Sequence, residues 1–237
     1  MQRSFQPVMT TIVLTAAMLL ACVPASADVL TLEDGATHNL DYAVAQDDVH
    51  VRNSTTANLL TGGSIGQRLT ASDTSTVNVS GGEIGWDLRA WGDSEVNVSG
   101  GSIGIDLRAW DNSTVTVSGG SIWDDLEVRD DSTVNVSGGS IGDDLQTYDS
   151  STVTIFGTGF NFAYGDYGTA NWTNGTTLTG TLADGTTFDN VVSIDDSATV
   201  TLAAPVPEPS SMAMFGIGAL GLFGYGRRRR QTSAGAP

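Results

Sequence analysis

Through the middle of the chain apolar and polar residues alternate with a period of two, and the alternation itself repeats. The stretches Val77 to Gly82, Val96 to Gly101, Val115 to Gly120 and Val134 to Gly139 read Val-Asn/Thr-Val-Ser-Gly-Gly and begin 19 residues apart. Weaker copies begin at Asn58 and Val153. Ile65, Ile84, Ile103, Ile122 and Ile141 recur in the same register, and so do Leu69, Leu88, Leu107, Leu126 and Leu145. Read this way, no insertion disturbs the register from 58 to 157. Within one unit Val77 and Val79 share a face, Ile84 follows the Gly-Gly bend, and Leu88 and Ala90 share a face again. Period two with β-branched residues predicts short strands, and the Gly, Asp and Ser clusters between them predict turns. Strands this short are not stable alone. Stacked about 4.8 Å apart, identical units bury a continuous column of Val, Val, Ile, Leu and Ala.

The pattern predicts an all-β fold: a parallel β-helix or solenoid of about five 19-residue coils over 58–157, weakening at Asn58 and Thr147 as end units should. Residues 28–57 are expected to cap one end. Residues 158–203 are expected to form a β cap at the other, with a hairpin from Leu178 to Thr187 turning at Asp184-Gly185 and further strands at Val191 to Ile194 and Ala198 to Leu202.

The ends read differently. Residues 1–27 form a signal peptide with a predicted helix: Arg3 begins it, an apolar run from Thr11 to Ala21 follows, and Ala25-Ser26-Ala27 is a cleavage site for signal peptidase, so that Asp28 starts the mature chain. Leu19 to Cys22 approximates a lipoprotein box, a competing reading that the bulky Leu20 fits poorly. Residues 204–237 hold a linker, then Val206, Pro207, Glu208 and Pro209, an apolar run from Met212 to Tyr225, and Arg227, Arg228, Arg229 and Arg230. That run is shorter than the roughly 20 residues that span a bilayer, and glycine-rich, so it predicts a short, weak transmembrane helix. The arginines hold its end in the cytoplasm and leave the body outside.

This tripartite end resembles the PEP-CTERM sorting domain, carried here by Pro207-Glu208-Pro209, the apolar run and the arginine cluster. The resemblance implies a substrate of exosortase, a membrane enzyme of bacteria that make exopolysaccharide and biofilm. It further implies an inner-membrane intermediate that is cut, so that the body reaches the cell surface or extracellular matrix of a diderm bacterium. An ordinary single-pass anchor is the competing reading. The Leu-Thr-Gly-Thr-Leu-Ala-Asp-Gly stretch from Leu178 is also similar to other proteins with this sorting domain.

Composition narrows the function. Between residues 28 and 206 there are 26 acids against five arginines and no lysine. Such a surface repels nucleic acid and anionic lipid and attracts cations, which excludes a nucleic-acid partner. The one cysteine, Cys22, lies in the signal peptide, so the body has neither disulfides nor thiolate sites. His38 and His50 are the only histidines, and neither a Gly-x-Ser-x-Gly elbow nor a phosphate loop occurs. Units without insertions leave no loops to wall a pocket, so the chain is not expected to be an enzyme. A polysaccharide-active β-helix enzyme remains the remotest alternative.

Two surface columns stand out. Asp87, Asp106, Asp125 and Asp144 stack in register, as do Asp111, Asp130 and Asp149. Oxygen-rich ladders suit Ca²⁺, although the unit lacks a calcium-repeat pattern, and a solvated acidic face is the simpler reading. No other cofactor is expected. Trp91, Trp110, Arg129 and Tyr148 also stack, one residue after inward positions, with Arg89 and Arg108 beside them. Outward aromatics with hydrogen-bonding neighbours suit sugar rings, giving an exopolysaccharide-binding adhesin as the alternative to a structural or matrix protein. A ladder that stabilises neighbouring coils accounts for the same residues.

Overall fold

The computed structural model describes residues 29–44 and 46–205. The predicted signal helix, Ala25, Ala27 and Asp28, and the sorting segment from Val206 lie outside the described residues.

Two ladders of parallel strands run the length of the molecule. The first stacks Val29–Leu32, Asp48–Val51, Leu69–Ala71, Leu88–Ala90, Leu107–Ala109, Leu126–Val128, Asp144–Thr147 and Thr187–Ile194. The second stacks Thr37–Leu40, Thr56–Leu59, Thr76–Ile84, Glu95–Ile103, Thr114–Ile122, Thr133–Ile141, Thr152–Thr158 and Thr199–Ala203. The long strands of the second ladder bend at Ser-Gly-Gly, and their far ends pair Ile84 with Ile103 and Ile103 with Ile122, which makes a third side. At the bend Gly82, Gly101, Gly120 and Gly139 have φ between 78° and 84°, where a side chain is strained. A Cβ at Gly101 would also lie 2.7 Å from the Gly81 carbonyl oxygen.

The core is the interior of this three-sided coil. Leu69, Leu88, Leu107, Leu126 and Leu145 form one buried column, Val77, Val96, Val115, Val134 and Val153 another, and Ile65, Ile84, Ile103 and Ile122 a third. Each side chain packs on its own copy above and below, so a three-residue strand that could not persist alone becomes one rung of a continuous apolar spine. A fourth column carries buried Ser75, Ser94, Ser113, Ser132 and Ser151 at the turn before the valine strand. Three of these hydroxyls donate to carbonyl oxygens of the preceding coil: Ser75 to Val51, Ser132 to Ala109 and Ser151 to Val128.

The solenoid has about seven turns rather than about five. Strands at both ends pair in parallel with the repeats. On one side Val29–Leu32 and Thr37–Leu40 sit on the next coil. On the other, Thr187–Ile194 and Thr199–Ala203 stack on Asp144–Thr147 and Thr152–Thr158 after a long excursion of the chain. That excursion supplies two antiparallel strands. Thr176–Leu182 pairs with Thr187–Ile194, confirming the hairpin at Asp184-Gly185, and Gly165–Tyr167 pairs with Thr199–Ala203. Phe162, Tyr167 and Trp172 cluster here, and the buried Trp172 indole donates to the Val192 carbonyl at 3.0 Å. The last coil is thereby covered along both of its strands, which satisfies edges that would otherwise pair with another chain.

The register near Asn58 also differs from the sequence reading. Ala57 pairs with Val77, Asn58 with Asn78 and Leu59 with Val79, a separation of 20. One extra residue is taken up by the turn in which the Gly63 amide donates to the Leu60 carbonyl at 2.9 Å. Asn58 is therefore not a weakened core position. It faces outward in an amide ladder, in which each Asn donates to its predecessor: Asn58 to Asn39 at 2.8 Å, Asn78 to Asn58 at 2.9 Å and Asn97 to Asn78 at 3.1 Å. A slip of one residue would turn Ala57 and Leu59 out and Thr56 and Asn58 in, which the burial cost forbids.

Candidate functional site

The second acid column is a column of turns. Asn53, Asp73, Asp111, Asp130 and Asp149 all have φ between 56° and 59°, the left-handed region that Asn and Asp tolerate better than other side chains. Gly92 occupies the same position in its coil. Each aspartate also accepts the backbone N–H of its counterpart one coil back: Asp111 from Gly92 at 2.9 Å, Asp130 from Asp111 at 3.0 Å and Asp149 from Asp130 at 3.2 Å. These carboxylates tie coil to coil.

Two carboxylates of the first acid column accept amides in the opposite sense, from the following coil. Asp106 accepts from the Asp125 amide at 3.1 Å, and Asp125 from the Asp144 amide at 3.0 Å and the Gln146 side chain at 3.0 Å. Asp87 holds Arg89 at 2.6 Å. Arg108 reaches Asp106 at 2.5 Å, Asp87 at 3.6 Å and Glu127 at 3.1 Å, and Glu127 also holds Arg129. Three arginines and three acids thus interlock along successive coils. Asp87 and Asp106 are buried under this network. A buried pair of this kind contributes mainly by leaving no charge uncompensated.

Trp91 and Trp110 lie where expected, on adjacent coils, with ring centroids 4.1 Å apart and planes at 86°. Both are half-buried. The Arg129 guanidinium lies 4.2 Å from the centre of the Tyr148 ring, and the Tyr148 hydroxyl donates to Gln146 at 2.9 Å. Arg89 and Arg108 are turned to the carboxylates just described. Of the residues named for sugar contact, the two tryptophans meet each other, the two arginines meet carboxylates, and Tyr148 meets Arg129 and Gln146.

The acids that converge are Asp124, Asp125 and Asp143, whose oxygens lie within 4.8 Å of one another. Only Asp125 comes from the column singled out by sequence. Burial pushes the Asp125 carboxyl above the usual range, and the neighbouring Asp124, Asp106 and Asp144 add to the effect. Asp144 is raised too, first by burial and then by Asp143 and Asp124. His50 is pushed down by burial and by Arg52, and His38 bonds Asp34 at 2.9 Å on the exposed surface. These two histidines stand in different ladders and share no acid.

Sequence reasoning passed over the most exposed aromatic among the described residues. Trp123 is 80% exposed, and Trp86 and Ile105, in the same turn of their coils, are also exposed. The signal was present: Trp123 stands where the other coils have Gly66, Gly85, Gly104 and Gly142.

Among the described residues no helix is long and apolar enough to cross a membrane. No curated protein matches the chain, and no solved structure matches it. Residues 205–230, where Pro207-Glu208-Pro209, the apolar run and the four arginines follow one another, match the family model described as the PEP-CTERM protein-sorting motif. The motif implies an exported protein, anchored in the membrane before exosortase processes it. The chain is therefore a β-solenoid that carries a PEP-CTERM sorting motif after its last coil.

Proposed function

We propose that the solenoid is a structural element of the cell surface or extracellular matrix: an acidic rod delivered by the sorting motif and left outside once exosortase has cut the motif away. The supporting observation is how the outward polar groups are used. Outward asparagines such as Asn78, aspartates such as Asp130, and Arg108 are bonded to a neighbouring coil rather than gathered around a cavity. A surface built in this way stiffens the stack and offers little reacting chemistry, which favours a scaffold over an enzyme. The acid excess keeps copies of the rod apart and hydrated. The signal peptide, with signal peptidase as its processing enzyme, belongs to the same reading.

Deleting residues 206–230 and following the chain by cell fractionation tests the proposal. Full-length protein is expected in the surface or matrix fraction, and the deletion variant in the periplasm. Equal distribution of both would end the reading, as would a full-length chain that stays uncut in the inner membrane.

A further inference from the structure

One corner of the coil, between the isoleucine and leucine sides, has a feature that the stack does not require. Gly66, Gly85, Gly104, Trp123 and Gly142 occupy it, one per coil. The backbones are tight there: a Cβ at Gly85 would lie 2.2 Å from the Gly66 oxygen, and one at Gly104 would lie 2.2 Å from the Gly85 oxygen. Trp123 nevertheless brings the largest side chain to this column and leaves it 80% exposed. An indole so placed removes little apolar surface from water, so packing does not account for it. The crowding continues on the next coil, where a Cβ at Gly142 would be 1.8 Å from the Trp123 oxygen.

The next residue in each coil stays in register. The Ile105 amide donates to Trp86 at 2.9 Å, the Asp124 amide to Ile105 at 3.0 Å and the Asp143 amide to Asp124 at 3.0 Å. Trp86, 44% exposed, and Ile105, 37% exposed, thus rise beside Trp123 as an apolar strip over consecutive coils. The strip runs directly into the Asp124, Asp125 and Asp143 cluster. Arg89, Arg108 and Arg129 are held by Asp87, Asp106 and Glu127 and do not neutralise that cluster.

The Arg68 guanidinium already stands 5.7 Å from the centre of the Trp86 ring, which leaves Trp123 as the open indole. We propose that this corner binds a cationic amino-sugar polymer, with a sugar ring laid on Trp123 and its ammonium groups against Asp124 and Asp143. Charge complementarity selects the ligand. Carboxylates next to an indole attract a chain with an aliphatic ring face and positive charge, and repel uronate polymers, anionic lipid and nucleic acid. The inference goes beyond the scaffold reading, since it gives the rod a contact with a matrix polymer. It uses a different face from Trp91 and Trp110, whose rings pack on each other.

The test is calorimetric titration of the purified full-length chain with glucosamine oligomers, fully N-acetylated oligomers, and polygalacturonate with and without Ca²⁺. Glucosamine oligomers are expected to bind, more weakly as salt is added. Trp123→Gly restores the residue that the other coils carry, so circular dichroism should be unchanged while affinity falls by about tenfold or more. Asp124→Asn with Asp143→Asn should also weaken binding, with the acetylated oligomer unaffected. Undiminished binding by folded Trp123→Gly overturns the proposal. So does equal affinity for acetylated oligomers, binding to polygalacturonate through Ca²⁺ alone, or no binding to any of the polymers. None of these results depends on where the cell delivers the rod.

Discussion

Leu107→Ala probes the spine directly. Leu107 is fully buried and pairs with Leu88 on one side and Leu126 on the other. Truncation to alanine removes three carbons, worth about 0.8 kcal/mol each in transfer, or roughly 2.4 kcal/mol in all. A cavity term adds to this, because the surroundings relax only in part. Here relaxation is restrained from both sides. The neighbouring strands are pinned by ladders about 4.8 Å apart, so Leu88 and Leu126 cannot close the gap without breaking pairing elsewhere. The expected loss is about 3–4 kcal/mol, within the range for buried leucines. In a protein of this size that is a fall in Tm of roughly 6–16 °C. Urea and thermal unfolding followed by far-ultraviolet circular dichroism measure it, with Thr116→Ala on the outward side of the adjoining strand as reference. A loss below about 1 kcal/mol, or one matching the Thr116 reference, would refute the reasoning: the leucine column would then not be what holds the coils together.

Three further outcomes follow from named contacts. Asp130→Ala loses both a carboxylate that accepts the Asp111 amide and a residue type suited to its φ of 56°, so it should cost about 1–3 kcal/mol, whereas Asp130→Gly should cost less; denaturation midpoints compare them. Asn78→Ala removes the bonds to Asn58 and from Asn97 in the middle of the amide ladder and should cost about 1–2 kcal/mol, measured in the same way. The folded chain holds the protons of Asp125 and Asp144 more tightly than the unfolded chain, so stability should rise as pH falls from neutral towards the carboxylate range near about 4, and decline below it as Asp34 and Asp184, held low by their hydrogen bonds, are forced to protonate. Tm against pH shows this, and Asp125→Asn should reduce the initial rise.

Much of this architecture was legible along the chain. Recurrence of Val77, Ile84 and Leu88 at intervals of 19 made a stack the economical solution, because like side chains at a fixed interval bury one another only when the units are superposed. The order of proline, apolar run and arginines at the C-terminus was equally open to reading, since a sorting signal is recognised as a linear segment. The alternation was less informative at Asn58. Leu59 and Leu60 are both apolar, so pattern alone admits two registers, and the choice fell to the amides of Asn39 and Asn78. The final coil was hidden for another reason: its strands return only after the excursion through Trp172, so no interval of 19 marks the pairing of Leu145 with Val192.

The surface columns divide in the same way. Periodicity alone determined that the aspartates, the Trp91 and Trp110 pair and the arginines would line up, because position in a repeat is a property of the chain. What they do was decided in three dimensions. Whether Asp130 meets a cation or a backbone amide depends on the turn of the neighbouring coil, and whether Arg108 meets a sugar or Asp106 depends on which carboxylates lie within reach. Trp123 shows the division most plainly. It breaks a column of glycines, which the sequence contains, but its exposure beside Asp124 and Asp143 exists only once coils far apart in the chain share one corner, since solvent access is a property of the packed surface and not of the chain.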